Sequence, residues 1–400
     1  MSSRHIEHNG PLALQFVSEV EDMAYVTASL SSGAEAARRG TDWAAAEAYT
    51  RIGGFLVARQ MQIVHERIFG SLSARQAILE QRARALAVSA VPADGPITYI
   101  QGKPLSGDGL SGVQLLALRP QEPSGVWTIR DAGVACGRGW RRNGVRFLVL
   151  QSVHGLLKGL SREAQAGRML DGARRILRAQ GVEYDRVART WIYLSDILSW
   201  YDEFNKARNA KYGRFGLMPD LSAEPPGRRV RLPASTGIEG DNPLGAACAM
   251  DVLAVSGEPD AGLDAIQMTN VKQADAFRYG SAFSRGVCIR EPDVAQIQIS
   301  GTAAIDERGN SLFPGDAPAQ ILWTLDSVQA LIAPEGATLS DISQATVFLK
   351  RAEDYSTYGR VFEERGLADL PVVCVQADVC RDELLFEMDG VALLRRDSSL

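Results

Sequence analysis

The chain has 400 residues, with 43 basic and 48 acidic side chains and a net charge of −5. Its length predicts two to four domains at ~100–200 residues each, and 46% hydrophobic with 23% charged residues suits an ordinary globular protein. There is no polybasic run, no apolar run of the ~18 residues that span a bilayer and no apolar secretory core in residues 1–10, so no nucleic-acid or membrane partner is expected and a cytoplasmic location is.

The first 120 residues read as helix over 44–59, strand over 62–69, helix over 73–87, and strands over 96–100 and 112–118. The middle reads as strand 146–152, helix 161–180 ending at Gly181, strand 187–194 and helix 197–212. An extended stretch then enters at 230–232, and 246–256 is a closing strand. The last third reads as strand 294–301, a turn at 306–310 and a helix over 317–331 stopped by Pro334-Glu335-Gly336. Strand 342–349, helix 352–365 and strands 371–375 and 384–394 follow.

The order strand, helix, strand, helix, strand, strand therefore recurs. Thr190-Trp191-Ile192-Tyr193-Leu194 and Thr346-Val347-Phe348-Leu349 occupy the same place in two copies. The closing strands end alike in Leu116-Ala117-Leu118, Leu253-Ala254-Val255 and Val391-Ala392-Leu393. Self-similarity at this spacing predicts an α+β fold of tandem units, at 1–125 (a degenerate copy), 126–260 and 261–400. Five scattered cysteines (Cys136, Cys248, Cys288, Cys374, Cys380) without CxxC spacing predict reduced thiols. His5, His8, His65 and His154 are too dispersed for a His-based metal site. Gly137-Arg138-Gly139-Trp140-Arg141-Arg142 reads as a basic connecting loop, and Trp200 and Tyr201 as helix packing residues.

The strand Phe386-Glu387-Met388-Asp389-Gly390-Val391-Ala392 resembles the V-E-I-E-x-I-A strand that ends a unit of the Rid/YjgF superfamily. That resemblance implies chorismate-mutase-like units, a pseudo-trimer around a barrel-like core, and sites in the clefts between neighbours. It also implies which chemistry is missing. Rid deaminases carry an arginine about fifteen residues before that glutamate, where this chain has Val372 or Val373, and a valine cannot offer a carboxylate the bidentate fork of Arg. Four further segments resemble the chorismatase branch: Arg189 to Leu194 with Trp200-Tyr201 and Phe204-Asn205; Arg231 to Ile238; Arg278-Tyr279-Gly280-Ser281-Ala282-Phe283-Ser284-Arg285; and Ala377 to Glu387. The third is shorter than that branch's usual Y-G-x-x-S-P-x-F-x-R.

What this branch implies is an enzyme of the lyase or hydrolase class in secondary metabolism, without metal or organic cofactor. It would protonate the enolpyruvyl group of chorismate, or of a related cyclic carboxylate, and release pyruvate. Such chemistry needs one general acid and two anion clamps. By matching position Glu387 is the acid, because a carboxyl in a partly apolar cleft keeps its proton. Arg285 is the first clamp, assisted by Arg278 and Tyr279. Arg208, one helical turn past Asn205, is the second. Thr236 and Gly237 form a small-residue loop that lets backbone N–H groups approach an anion. Cys380 lies seven residues before Glu387, in the neighbourhood that steers product choice in that branch. The expected partner is a small anionic metabolite, and a homo-oligomer is compatible with this reading. Two other readings stay open here: a Rid-type hydrolase or deaminase on another reactive intermediate, and a non-catalytic metabolite-binding module.

Overall fold

Six strands and two helices recur three times along the chain. The computed structural model describes residues 3–31, 34–104, 108–122, 124–218, 232–258 and 260–396. The first set is β1 (Ser3–Asn9), β2 (Leu12–Val20), β3 (Met23–Leu30), α1 (Ala34–Arg59), β4 (Gln62–Gly70), α2 (Arg75–Val88), β5 (Thr98–Gln101) and β6 (Leu110–Leu118). The second is β7 (Val126–Asp131), β8 (Val134–Arg142), β9 (Val145–His154), α3 (Arg162–Ala179), β10 (Val187–Leu194), α4 (Tyr201–Phe215), β11 (Ala234–Glu239) and β12 (Cys248–Gly257). The third is β13 (Asp264–Met268), β14 (Gly286–Arg290), β15 (Val294–Ala303), α5 (Ala317–Ile332), β16 (Ile342–Leu349), α6 (Tyr355–Glu364), β17 (Val372–Gln376) and β18 (Phe386–Arg395).

Each set forms one six-stranded sheet of the same order: β1-β2-β3-β6-β4-β5, then β7-β8-β9-β12-β10-β11, then β13-β14-β15-β18-β16-β17. Only β4/β5, β10/β11 and β16/β17 pair in parallel. Two helices start at side-chain caps that accept an orphan backbone N–H: Ser161 takes that of Ala164 at α3, and Asp316 that of Ala319 at α5. Helix α4 stops at a left-handed residue, Gly216 (φ 76°).

Two departures from the sequence reading concern strands. The first unit opens with three strands that the reading lacks and the other two units with two each, and residues 137–142 are part of β8 rather than a loop. Thr236 and Gly237 likewise lie in β11 rather than a loop. Residues 230 and 231 of the expected extended stretch fall outside the described residues.

One face of every sheet packs on its own two helices, giving three separate cores. The other faces meet in a single shared core that holds Tyr25 and Leu116, Phe147 and Leu253, and Ile289 and Leu393. The contacts run in a ring. Strands β4 and β5 meet β9, β11 meets β14 and β15, and β17 meets β3 and β6. This is the pseudo-trimer that the resemblance implied, around a shared centre that is not a closed barrel. The ladder does not run continuously around it. The sheet edges are joined by isolated links, such as Gln101 N–H to Asp241 O (2.8 Å), Gln376 N–H to Lys103 O (3.1 Å) and the Ala234–Ser284 bridge. Arg142 of the second unit ties all three units together, bonding Asp22 of the first (3.0 Å) and Glu291 (2.9 Å) and Asp293 (2.5 Å) of the third. No described helix is long and apolar enough to cross a membrane.

Candidate active site between the second and third units

The register of the closing strands makes the three clefts comparable. Glu387 lies opposite Phe348, Ala249 opposite Tyr193, and Gly112 opposite Phe69. These three are equivalent positions, and only the third unit carries a carboxyl there. Strand alternation places Phe386 and Met388 in the core beneath α5 and α6, which sends Glu387 and Asp389 to the opposite face. Glu387 is 4% exposed. Burial, reinforced by the nearby Asp389 carboxylate and offset by Arg189 and Arg285, pushes its pKa up to about 8. The carboxyl thus holds its proton at neutral pH.

Glu387 is at one wall of a small cavity at the junction of the second and third units. The second unit contributes Tyr201, Arg208, Ser235 and Gly237; the third contributes Tyr279, Phe283, Arg285, Gly301, Cys380 and Arg381. Arg208 is 1% exposed, donates from Nη2 to Asn205 Oδ1 (2.6 Å) and leaves its buried Nε without a partner. Its guanidinium lies over the rings of Phe204 and Phe283. Arg285, equally buried, donates to the Ala274 carbonyl (2.8 and 2.6 Å) and to Tyr279 Oη (2.5 Å). Arg381 donates to the Gly309 carbonyl (2.8 Å) and Ser311 Oγ (3.1 Å). Among the described residues, none of the three is paired with a carboxylate. Three cations without counter-ions in one cavity suit a small polyanion.

Most of the residues singled out from the sequence line this cavity: Glu387, Arg285, Tyr279, Arg208, Gly237 and Cys380. Two do not. Arg278 points to solvent, 3.9 Å from Asp275. Thr236 lies behind the wall, its hydroxyl donating to Asp389 Oδ2 (2.7 Å) instead of presenting backbone to a ligand. The sequence reading did not assign Arg381, Tyr201, Phe283 or Gly301 to the site. Arg381, Tyr201 and Phe283 stood inside segments already singled out, but Gly301 gives no local signal. Burial pushes the Cys380 thiol up to about 12, so it stays protonated.

A much larger, open cleft of about 1340 Å³ runs along α3 and α4 and reaches the junction of the first and second units. Its lining includes Ser152 and His154, which match Gly301 and Ala303 of the Glu387 cavity by register, but not Ala249. There His154 stands where the third unit has Ala303, each opposite the residue that matches Glu387 or is Glu387. Ala249 stands at the position that matches the acid, and of the cations along this cleft Arg175 and Lys211 are paired with Asp131 and Asp171. No cluster of three or more His, Cys, Asp or Glu suited to a metal occurs among the described residues, and the five cysteines are free.

Residues 275–394 match the family described as endoribonuclease L-PSP. The chain is 28% identical over 233 residues to a chorismatase of Streptomyces rapamycinicus, which spans 52% of this chain and 64% of that protein. It is 26% identical over 257 residues to a chorismatase of Streptomyces hygroscopicus, spanning 59% and 71%. A chorismatase crystal structure at 1.08 Å superposes with a TM-score of 0.61 at 21% identity, covering 83% of this chain and 93% of that one. At that identity the likeness establishes the fold.

Proposed function

We infer that this chain, which belongs to the Rid/YjgF superfamily in its chorismatase branch, is an enzyme that releases pyruvate from chorismate or a related cyclic carboxylate. One observation carries the reading: a buried Glu387, whose carboxyl burial pushes up to about 8, shares a cavity with three arginines that have no carboxylate partner among the described residues.

Each part has a role in that chemistry. The arginines hold the ring and enolpyruvyl carboxylates. Glu387 delivers its proton to the methylene carbon of the enol ether, which turns the ether carbon into an oxocarbenium ion. Water adds to that carbon, and the hemiketal collapses to pyruvate and a ring hydroxyl, so one water is consumed for each pyruvate formed. The cavity walls of Tyr201, Tyr279 and Phe283 limit other water near the cation. The free volume is only about 40 Å³, so the cavity must widen to admit a cyclic dicarboxylate.

The deaminase reading loses support from the same geometry. Val372 and Val373, where Rid deaminases have their arginine, are buried apolar residues of β17. Incubation of the purified chain with chorismate tests the proposal, with pyruvate expected from the native chain and none from Glu387→Gln. Unchanged chorismate with the native chain sinks it.

A further inference from the structure

Asp389 is two residues beyond Glu387 on β18, so both side chains leave the same face of the strand. It is 1% exposed. Across the unit junction, Arg189 of β10 donates from Nη2 to Asp389 Oδ2 at 3.0 Å, and the Thr236 hydroxyl of β11 donates to the same oxygen at 2.7 Å. Arg189 Nη2 also reaches Thr236 Oγ1 at 2.6 Å. The guanidinium is fully buried and lies 4.9 Å from the centre of the Trp191 ring. Among the described residues Asp389 Oδ1 has no hydrogen-bond partner. An interunit ion pair therefore stands directly beside the acid.

The repeat supplies the comparison that interprets this pair. Register places Arg189, His65 and Gln344 at one equivalent position, opposite Leu253, Leu116 and Val391. It likewise makes Asp389, Asp251 and Gln114 equivalent. At the junction of the first and second units, His65 Nε2 meets Asp251 Oδ2 at 2.8 Å, and Thr98 donates to Asp251 Oδ1 at 2.6 Å. At the junction of the third and first, two neutral amides do the work: Gln114 donates to Ala345 O (2.7 Å) and Gln344 to Val26 O (3.0 Å). A charged pair is thus not needed to hold such a junction, and burying one costs desolvation that two amides avoid. At this equivalent position, only the junction that contains Glu387 carries an Arg with its Asp.

We propose that Asp389, clamped by Arg189 and Thr236 of the neighbouring unit, is a positioning residue that keeps the proton on Glu387. The inference rests on the reading of Glu387 as general acid. Its physical basis is that a neighbouring negative charge opposes ionisation of a second carboxyl. The other groups that face Glu387 are Arg189 from β10 and Arg285 from the segment before β14. Cys380 and Tyr201 also border it, and Arg208, Arg381 and Tyr279 share its cavity. Asp389 is faced in turn by Arg67 of β4 and Tyr193 of β10. Removing Asp389 alone would leave the Arg189 cation beside Glu387 and draw off its proton.

The test is a pH titration of the protonated-carboxyl C=O stretch in the infrared difference spectrum, assigned to Glu387 by its loss in Glu387→Gln. The midpoint should fall by about one pH unit or more in Asp389→Asn. The double variant Arg189→Gln/Asp389→Gln copies the neutral pair found at Gln344 and Gln114, and should give an intermediate midpoint because both charges are gone. If Asp389→Asn does not fold, the double variant decides: its midpoint should still fall below the native one, because Asp389 outweighs Arg189 at Glu387, and an unchanged midpoint would overturn the proposal. Thermal melting that falls while the midpoint stays put would reduce Asp389 to an interface lock and overturn the proposal. So would the absence of a Glu387 band in the native chain. The readout needs no substrate, so failure to turn over chorismate would count against the proposed function only.

Discussion

Gly301 on β15 runs so close to Glu387 that a Cβ built there lies 2.1 Å from Oε1 and 3.0 Å from Cδ, with Thr236 Cγ2 at 3.3 Å. Gly301→Ala therefore forces a group more than ~1 Å inside ordinary contact distance. The obstructing atoms are the tip of a flexible side chain, so the carboxyl swings away and the backbone stays. The fold should lose no more than ~1–2 kcal/mol. A general acid displaced by ~1 Å should cost about 100-fold in kcat/KM. Pyruvate release gives the first quantity and thermal melting the second. Gly213→Ala on α4, where nothing lies within 4 Å of the added Cβ, is the control and should change neither by much. Near-native turnover in Gly301→Ala would refute the placement of the acid at the Glu387 carboxyl.

Arg208→Met and Arg285→Met should each lower kcat/KM by roughly 100-fold or more, through loss of a charge-assisted contact worth ~1.5–3 kcal/mol or more, and Arg→Lys should recover little at a forked contact. Activity should be high below pH 8 and fall as pH rises through about 8, because the working form of Glu387 is the protonated one. The same raised pKa makes Glu387 stabilise the fold fully below the ordinary carboxyl range and lose that contribution as pH rises through about 8. Glu387→Gln should therefore flatten the melting temperature against pH on the alkaline side. Arg142→Met strands the Asp22, Glu291 and Asp293 carboxylates at the meeting point of all three units, and should cost ~3–5 kcal/mol of stability. Its melting temperature should drop while turnover at low temperature persists.

The periodic parts of the fold were legible in the sequence because their burial is one-sided or complete. Strand β6 is buried along its whole length, and α3 repeats apolar residues on one face. The opening strands of each unit were not. In β7 and β8 half-buried and exposed positions mix, so the period-2 signal fades and the Gly-Arg run imitates a loop. Turn chemistry offered a way in. Asn9-Gly10 and Asn143-Gly144 are hairpin signals, and Asn143 (φ 49°) and Gly144 (φ 75°) do make the tight turn between β8 and β9. The site was legible as far as its residues lie in motif segments. Arg278 was misplaced because the short helical turn Ala276–Tyr279 sends neighbouring side chains apart, Tyr279 into the cavity and Arg278 to solvent. Arg189 and Asp389 are 200 residues apart in the chain, and only the packing of the second unit on the third brings them together.

The central claim is that the junction of the second and third units releases pyruvate by proton transfer from Glu387. The most direct measurement is pyruvate formed per chorismate consumed by the native chain and by Glu387→Gln at pH 7, with the fold of both checked by melting. The account predicts one pyruvate per chorismate from the native chain and none above background from a folded Glu387→Gln. Equal pyruvate release by the two would contradict it.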